Sequence, residues 1–285
     1  ADRFSLGAWR FDNNSNLFNH ILHPFAGANF YGLSRINNLS VLEASVYSAM
    51  SSLIREFALE WRELVSINDL VFTPISGIAV GEFFFQLGEY TTSTPRNKPW
   101  HWLTAYTFGM YRTGTNYLYE NRKRPPLPRD RLGYSSAYWH RFYVGTEFVS
   151  ISNNDAVDRL HGLRANAELV TIPGFARPGN FSTIFADGNF TQGDVNIALN
   201  PKGGFETDLF FSANLYGRYR QDYSISSSGD IDGHATMLAI QTAFRFSDHS
   251  FTDRADQVAV AHAGGPMAKI WLKAGHWRGS FEASA

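Results

Sequence analysis

Residues 66–85 read SINDLVFTPISGIAVGEFFF, and this stretch decides between fold classes. It is rich in Val, Ile, Leu and Phe, as a membrane helix would be, yet Asp69, Pro74 and Glu82 interrupt it. A helix that crosses a bilayer needs about 18 or more consecutive apolar residues, and no stretch of this chain reaches that length. If the chain crosses a membrane, it should therefore do so as a closed barrel of strands.

The composition is aromatic-rich and weakly charged. Aromatic residues make up 15% of the 285 residues and charged residues 18%, against about 25% charged residues in typical globular domains. The net charge of −1 gives no reason to expect nucleic acid as a partner. The chain has no cysteine, which excludes disulfides, thiolate metal sites and cysteine nucleophiles. This combination is typical of a bacterial envelope protein.

The N-terminal part has a helical period. Residues 40–64 contain no Gly or Pro, and Ser40 followed by Glu43 forms a capping box at the start of a predicted helix. Apolar residues recur there at spacings of three or four and form one stripe, which should make a single apolar contact. The rest of the helix surface is polar, which suits a water-lined cavity better than lipid. The stripe consists of Val46, Met50, Leu53, Phe57 and Trp61.

The C-terminal part has a period of two. In residues 205–220 the odd positions are almost all apolar and the even positions mostly polar. This run is longer than the strands of globular proteins, about 5–6 residues, and the membrane strands of barrels, about 9–11. The same alternation predicts strands at residues 140–150, 163–170, 194–200 and 234–246.

Long alternating strands separated by polar loops are typical of transmembrane barrels. The predicted fold is mainly β: an antiparallel transmembrane β-barrel of about 8–12 strands. The barrel should occupy residues 96–285. An N-terminal helical segment, residues 1–95 with a candidate first strand at 4–11, should pack in or under the lumen.

The direction of the apolar strand faces is the central expectation of this prediction. Leu209, Phe211 and Leu215 should face hydrocarbon, while Asp69 and Glu82 of the opening stretch should meet polar side chains of the lumen. A soluble sandwich or a lipocalin-like barrel has the same period with its apolar face turned inward. That alternative stays open at the level of sequence.

A spaced set of residues in the helical part resembles a known family. The matching positions are His23, Pro24, Gly27, Tyr31, Arg35, Glu56, Glu60, Ser66, Asp69, Thr73, Pro74, Gly77, Gly81 and Glu82. With these positions, residues 19–89 resemble an uncharacterised bacterial outer-membrane family, the domain of unknown function DUF3943. Val65 stands where that family has a proline, and Arg55 and Phe57 flank Glu56 where the family has an aromatic pair. The resemblance implies the outer membrane of a Gram-negative bacterium and supplies no activity.

Two histidines suggest a metal site. His20 and His23 would share one face of a helix, and with Glu56, Glu60 or Asp69 nearby they could hold a divalent ion. The spacing differs from that of established zinc motifs. The simpler interpretation is that His23 hydrogen-bonds a neighbouring turn and that no metal or other cofactor is bound.

The carboxylates of the helical part allow two interpretations. Carboxylates that lie close together can share a proton, which makes Glu56, Glu60 and Asp69, with His23, candidate catalytic residues. Alternatively they pair with Arg35, Arg55 or Arg62 of the helical part and with arginines of the strands, in a network that would fix the helices against the barrel wall. The strand arginines are Arg141, Arg164, Arg218 and Arg245. This polar network of the lumen would consist of Arg35, Glu56, Glu60, Asp69 and Glu82.

The expected function follows from the setting. We expect a non-enzymatic outer-membrane protein that acts as a pore, in lipid handling or as an assembly partner, because no nucleophile motif of a hydrolase is present. Its partners would be outer-membrane lipid and other envelope proteins. The alternative is an envelope lipid-modifying enzyme that uses Glu, Asp and His of the helical segment.

Overall fold

The computed structural model describes residues 9–10, 18–60, 64–93, 96–119, 128–153, 156–199, 205–250 and 255–284. Within them, helices come first and an antiparallel sheet follows. The helices are α1 (His23–Ile36), α2 (Val41–Ile54), α3 (Ile67–Thr92), α4 (Pro99–Phe108) and α5 (Met110–Leu118). A π-helical turn, Phe18–Leu22, precedes α1, and another, Arg55–Leu59, extends α2.

The strands account for most of the remaining described residues. They are β1 (Trp9–Arg10), β2 (Val65–Ser66), β3 (Trp139–Asn153), β4 (Ala156–Val170), β5 (Gly179–Phe185), β6 (Phe190–Leu199), β7 (Phe205–Ile225), β8 (Ile231–Ser250), β9 (Ala255–Ala274) and β10 (Trp277–Ser284). The five strands predicted from alternation correspond to β3, β4, β6, β7 and β8, so their prediction is confirmed, apart from Asn200, which lies outside the described residues.

The main sheet has eight strands, with β10, β9, β8, β7, β6, β4 and β3 in spatial order. Every pair in it is antiparallel, and β5 and β6 pair with successive halves of β7. Strands β1 and β2 form a separate short parallel pair. The mainly antiparallel architecture is therefore confirmed.

The main sheet is curled rather than flat. Three strands separate β4 from β9, so a flat sheet would hold them about 19 Å apart. Nevertheless Nζ of Lys269 on β9 lies 3.0 Å from Oε1 of Glu168 on β4. Register shifts beside Leu215 and between Gln241 and Ala243 add local twist. The sheet thus forms a half-barrel.

Helix α3 packs on one face of this half-barrel. The ring of Phe83 lies 5.3 Å from that of Phe211 on β7, and Ala79 and Val80 join the same apolar core with Phe244 of β8. On the opposite face, rings from β6, β7, β9 and the β4–β5 connection form a second core. That core includes Phe175, Phe190, Tyr219, Tyr223 and Trp271.

The expected outward direction of three side chains is wrong. Leu209 and Phe211 pack into the core beneath α3, and Leu215 packs on the cluster formed by Tyr31 and Ile78. The apolar face exists as predicted, but at this end the phenylalanines of α3 cover it. Periodicity identifies such a face and does not identify what lies against it.

Beyond the helices, no described element covers the same face of the sheet. Leu169 and Leu163 lie on one side of β4, since they are separated by an even number of residues. Leu169 is buried under α3, whereas Leu163 is 63% exposed. Ile197, the cross-strand partner of Leu163, is 46% exposed. On β8, Phe244 is buried and Leu238 is 65% exposed. Large apolar side chains therefore continue outward from the covered end.

Helix α2 has its polar side turned inward. Ala44, Ser48 and Ser52 are buried against the other helices, and Ser48 donates a hydrogen bond to the carbonyl of Gly27. Met50 on the opposite side is 53% exposed. Of the predicted apolar stripe, Val46, Met50 and Leu53 are exposed and Phe57 is partly buried, while Trp61 lies outside the described residues. The predicted capping box is present, because Glu43 accepts from the Ser40 backbone N–H at 2.8 Å.

Helices α1 and α3 pack closely through glycine. A Cβ atom built on Gly77 would lie 2.6 Å from Cα of Gly27, and one built on Gly27 would lie 2.1 Å from the carbonyl oxygen of Thr73. Only residues without a side chain allow this approach. Such small-residue contacts are common where helices pack in membranes.

Helix α3 is also the one described helix whose length and hydropathy would suit a bilayer crossing, over Asp69–Thr92. However, 67% of the most apolar part of α3 is buried inside the protein. A helix in the core of a soluble protein would have the same length and hydropathy.

The helical part is longer than expected. Helices α4 and α5 lie past residue 95, where strands were predicted to begin, and the first strand of the main sheet starts at Trp139. At residues 4–11, the described pair Trp9–Arg10 is a strand, and the rest of that predicted strand lies outside the described residues.

Candidate functional site

The first polar cluster of the helical part forms where α1 and α3 begin. His23 is the first residue of α1, ahead of Pro24, and its Nδ1 lies 2.5 Å from Oδ1 of Asp69. The same nitrogen lies 3.3 Å from Oγ1 of Thr73. Ser66 caps α3 and accepts a hydrogen bond from the backbone N–H of Asp69. All four side chains are buried.

Two further carboxylates complete this cluster from the end of α2. Glu56 accepts a hydrogen bond from the backbone N–H of Ser66 at 3.0 Å, and Glu60 accepts one from Nε of Arg55 at 2.7 Å. One oxygen each of Glu56, Glu60 and Asp69 lies within 4.8 Å of the others. Carboxylate oxygens at this spacing could hold a hard divalent cation.

The pKa of Glu56 is shifted by its surroundings. Burial raises the pKa of Glu56 to about 7, and the neighbouring carboxyls of Asp69 and Glu60 add to the rise. The backbone N–H of Ser66 opposes the rise by stabilising the carboxylate. A carboxyl with this pKa can accept or release a proton near neutral pH.

A second cluster lies in the middle of α3 around Glu82. Its carboxylate accepts hydrogen bonds from the Tyr31 hydroxyl at 2.7 Å, from Nε of Arg35 at 2.8 Å and from Nε2 of Gln86 at 2.7 Å. Nη2 of Arg35 also lies 3.0 Å from Asp187, in the connection between β5 and β6. The bidentate Arg35–Glu82 pair is almost completely buried.

The polar network predicted from the sequence is therefore divided. Glu56, Glu60 and Asp69 come together with His23, while Arg35 and Glu82 form the other cluster. Two of the expected pairs are present, Arg35 with Glu82 and Arg55 with Glu60, while Arg62 lies outside the described residues. Within the described part of the chain, the strand arginines have partners on the strands. The strand pairs are Arg141–Glu168, Arg164–Asp194, Arg218–Ser182 and Arg245–Asp208.

The two histidines proposed as a metal pair have different surroundings. His20 packs its ring against Phe72 and Phe246, whereas His23 contacts Asp69. The π-helical winding through Leu22 changes the spacing that would place residues three apart on one face of an α-helix. Of the two, His23 alone is beside the described carboxylates.

Sequence reasoning missed a third buried ion pair. Nε of Arg112 on α5 donates to Glu89 of α3, and Nη1 donates to the carbonyl of Ile36 at 3.1 Å. These residues are far apart in the sequence and belong to no local motif, so spacing offers no signal for them. Tyr31 and Gln86 were also not proposed as functional, although Tyr31 belongs to the family pattern.

Comparison with known proteins bears on this helical part. No curated protein and no solved structure matches the chain. Residues 8–110 match a family described as Domain of unknown function (DUF3943). The match is wider than the 19–89 stretch that carries the sequence resemblance, and it contains every residue of the two carboxylate clusters except Asp187. Over residues 8–110 the chain is thus similar to the DUF3943 family.

Proposed function

We propose that the protein is a non-enzymatic β-barrel protein of the bacterial outer membrane that handles lipid. The observation that carries this proposal is the outward direction of apolar side chains on two kinds of element. Helix α2 exposes Leu42 and Met50 while it buries Ser48, and the strands expose Leu163 and Leu238. Hydrocarbon is the environment in which both arrangements are favourable.

The exposed apolar surface is continuous in the sheet. Leu163 pairs directly with Ile197 of the next strand, and Val144 lies on the same face of β3, where it is 79% exposed. Soluble monomers rarely expose a contiguous apolar patch of more than about 300–600 Å². Further large apolar residues exposed on the strands are Phe148, Ile240, Leu272 and Phe281.

The strands are also long enough for this setting. Strands β8 and β9 have 20 residues each, about twice what a tilted strand needs to cross a bilayer. Arg218, which pairs with Leu238, would lie near the headgroups, where long basic side chains reach the interface. The remaining strand length would extend into water.

Cell fractionation tests this proposal. The protein, expressed with a signal peptide in a Gram-negative host, should sediment with the outer membrane. It should resist extraction by carbonate at high pH and should require detergent for purification. Recovery as a monodisperse protein in buffer without detergent would contradict the proposal.

A lipid-modifying enzyme is the second candidate. It is favoured by the contact of His23 with Asp69 and by the pKa of about 7 at Glu56, since perturbed pKa values cluster at functional sites. Purified protein would then release fatty acid from outer-membrane lipid. In that case Asp69→Asn should abolish the release and leave the melting temperature nearly unchanged. Absence of release by the unmodified protein favours the non-enzymatic role.

A further inference from the structure

A small apolar cavity lies between α1, α3 and the junction of α4 with α5. Its volume is about 190 Å³, and Phe25, Phe84 and Phe85 form much of its wall. An apolar cavity of about 150 Å³ holds one benzene molecule. This cavity therefore has room for one segment of an alkyl chain and not for a whole lipid.

Two residues of α1 define the space in this cavity. A Cβ atom built on Gly32 meets no heavy atom within 4 Å, so Gly32 borders open volume. At the rim, the hydroxyl of Tyr111 donates to Oδ1 of Asn29 at 2.5 Å and joins α5 to α1. The cavity is thus an opening between packed helices with a polar rim.

Arg112 supplies a hydrogen-bond donor in the cavity wall. The residue lines the cavity and is 5% exposed. Its Nε and Nη1 are satisfied by Glu89 and the carbonyl of Ile36, but Nη2 is buried and has no acceptor among the described residues. Buried donors in native proteins normally have a partner. An acceptor from a bound molecule would supply it.

We propose that the cavity binds the segment of a lipid acyl chain that lies next to its ester group, with the ester carbonyl oxygen accepting a hydrogen bond from Nη2 of Arg112. Glu89 already balances the charge of Arg112. A neutral acceptor is therefore favoured over a free carboxylate, which the Glu89 carboxylate would repel. This inference rests on the proposed lipid-handling function, because the lipid would enter from the bilayer.

Photolabelling tests the inference directly. The probe is a monoacylglycerol that carries a diazirine on its acyl chain, added to the full-length protein in detergent. The labelled peptides should contain Phe84 or Phe85. In Gly32→Leu the new side chain fills the cavity, and exclusion of two methylene groups should lower labelling about tenfold.

Gly114→Leu is the matched control, because a Cβ there also meets nothing within 4 Å and Gly114 does not line the cavity. Its labelling should equal that of the unmodified protein. Equal labelling of Gly32→Leu would overturn the inference. So would stronger labelling by the free fatty acid with the same diazirine, or labelling that an excess of unlabelled monoacylglycerol fails to reduce.

The two proposals fail in different ways. A protein that fractionates with the outer membrane but takes no label in the cavity retains the proposed membrane setting and refutes the acyl site. A water-soluble protein refutes the membrane setting, whatever its labelling.

Discussion

At the scale of single residues, the helical part contains two kinds of buried charge. Glu82 has a bidentate arginine and two further donors, so its charge is compensated. Glu56 faces other carboxylates and titrates near pH 7. The two clusters should therefore respond differently to pH and to substitution.

Stability should fall as pH rises through the titration of Glu56. The folded-state pKa of about 7 lies above the ordinary value of 4.5, so the folded protein binds the proton more tightly than the unfolded chain. The stabilisation is complete below pH 4.5 and is lost as pH rises to 7, with a slope of about 1 kcal/mol per pH unit. Urea unfolding in detergent micelles between pH 4.5 and 8 measures this slope.

Glu56→Gln should remove most of that pH dependence. Glu43→Gln is the matched control, because Glu43 is an exposed carboxylate of the capping box, and that variant should retain the decline. An unchanged slope in Glu56→Gln would show that the decline has another source.

Loss of Arg35 should be strongly destabilising. Arg35→Met leaves the Glu82 carboxylate buried without its cation, which costs about 3–5 kcal/mol. Arg55→Met is the control, because the Arg55–Glu60 pair is roughly 30% exposed and should cost less than about 1 kcal/mol. If both variants lost the same free energy of unfolding, burial of the Arg35–Glu82 pair would not make its loss more costly than the loss of an exposed pair.

The sequence indicated which residues belong to these clusters better than it indicated their contacts. The family pattern contains His23, Arg35, Asp69 and Glu82, and all four are buried polar residues. Their division into two clusters depends on how α1 crosses α3, which no local spacing encodes. The Arg112–Glu89 pair could not be predicted for the same reason.

At the scale of elements, α2 shows what periodicity can and cannot establish. The capping box and the apolar stripe follow from residue types at fixed spacings, and both are present. Whether a stripe faces protein or surroundings depends on the neighbouring helices. Here Gly27 and Gly77 bring α1 and α3 together, and Ser48 fits beside them more closely than Met50 could.

This orientation predicts that a leucine introduced on the buried side of α2 destabilises the protein much more than a leucine introduced on the exposed side. Ser48→Leu should destabilise the protein by about 1–3 kcal/mol, because it inserts a large side chain into a closely packed contact. Met50→Leu, on the exposed side, should change stability by less than about 0.5 kcal/mol. Thermal unfolding of the two variants in the same detergent checks this. A larger loss in Met50→Leu would mean that the described orientation is reversed.

At the scale of the whole molecule, the alternation of apolar and polar residues predicted the strands, their antiparallel pairing and their length. The curl of the sheet depends on contacts such as Lys269–Glu168, which join residues 101 positions apart and leave no local signal. For the same reason, alternation could not show that α3 covers Leu209 and Phe211 while Leu163 and Leu238 stay bare.

The central claim is that the bare apolar face of the strands contacts hydrocarbon. The chain has no cysteine, so Val144→Cys, Leu163→Cys and Met50→Cys can each carry a single nitroxide label. Ser228→Cys, in the exposed turn after β7, provides the aqueous control. The measurement is the collision rate of each label with oxygen and with a water-soluble nickel complex, for protein reconstituted in lipid vesicles. We expect oxygen, and not the nickel complex, to collide with the labels at positions 144, 163 and 50. The nickel complex should reach the label at position 228. Ready access of nickel to the labels at positions 144 and 163 would contradict it.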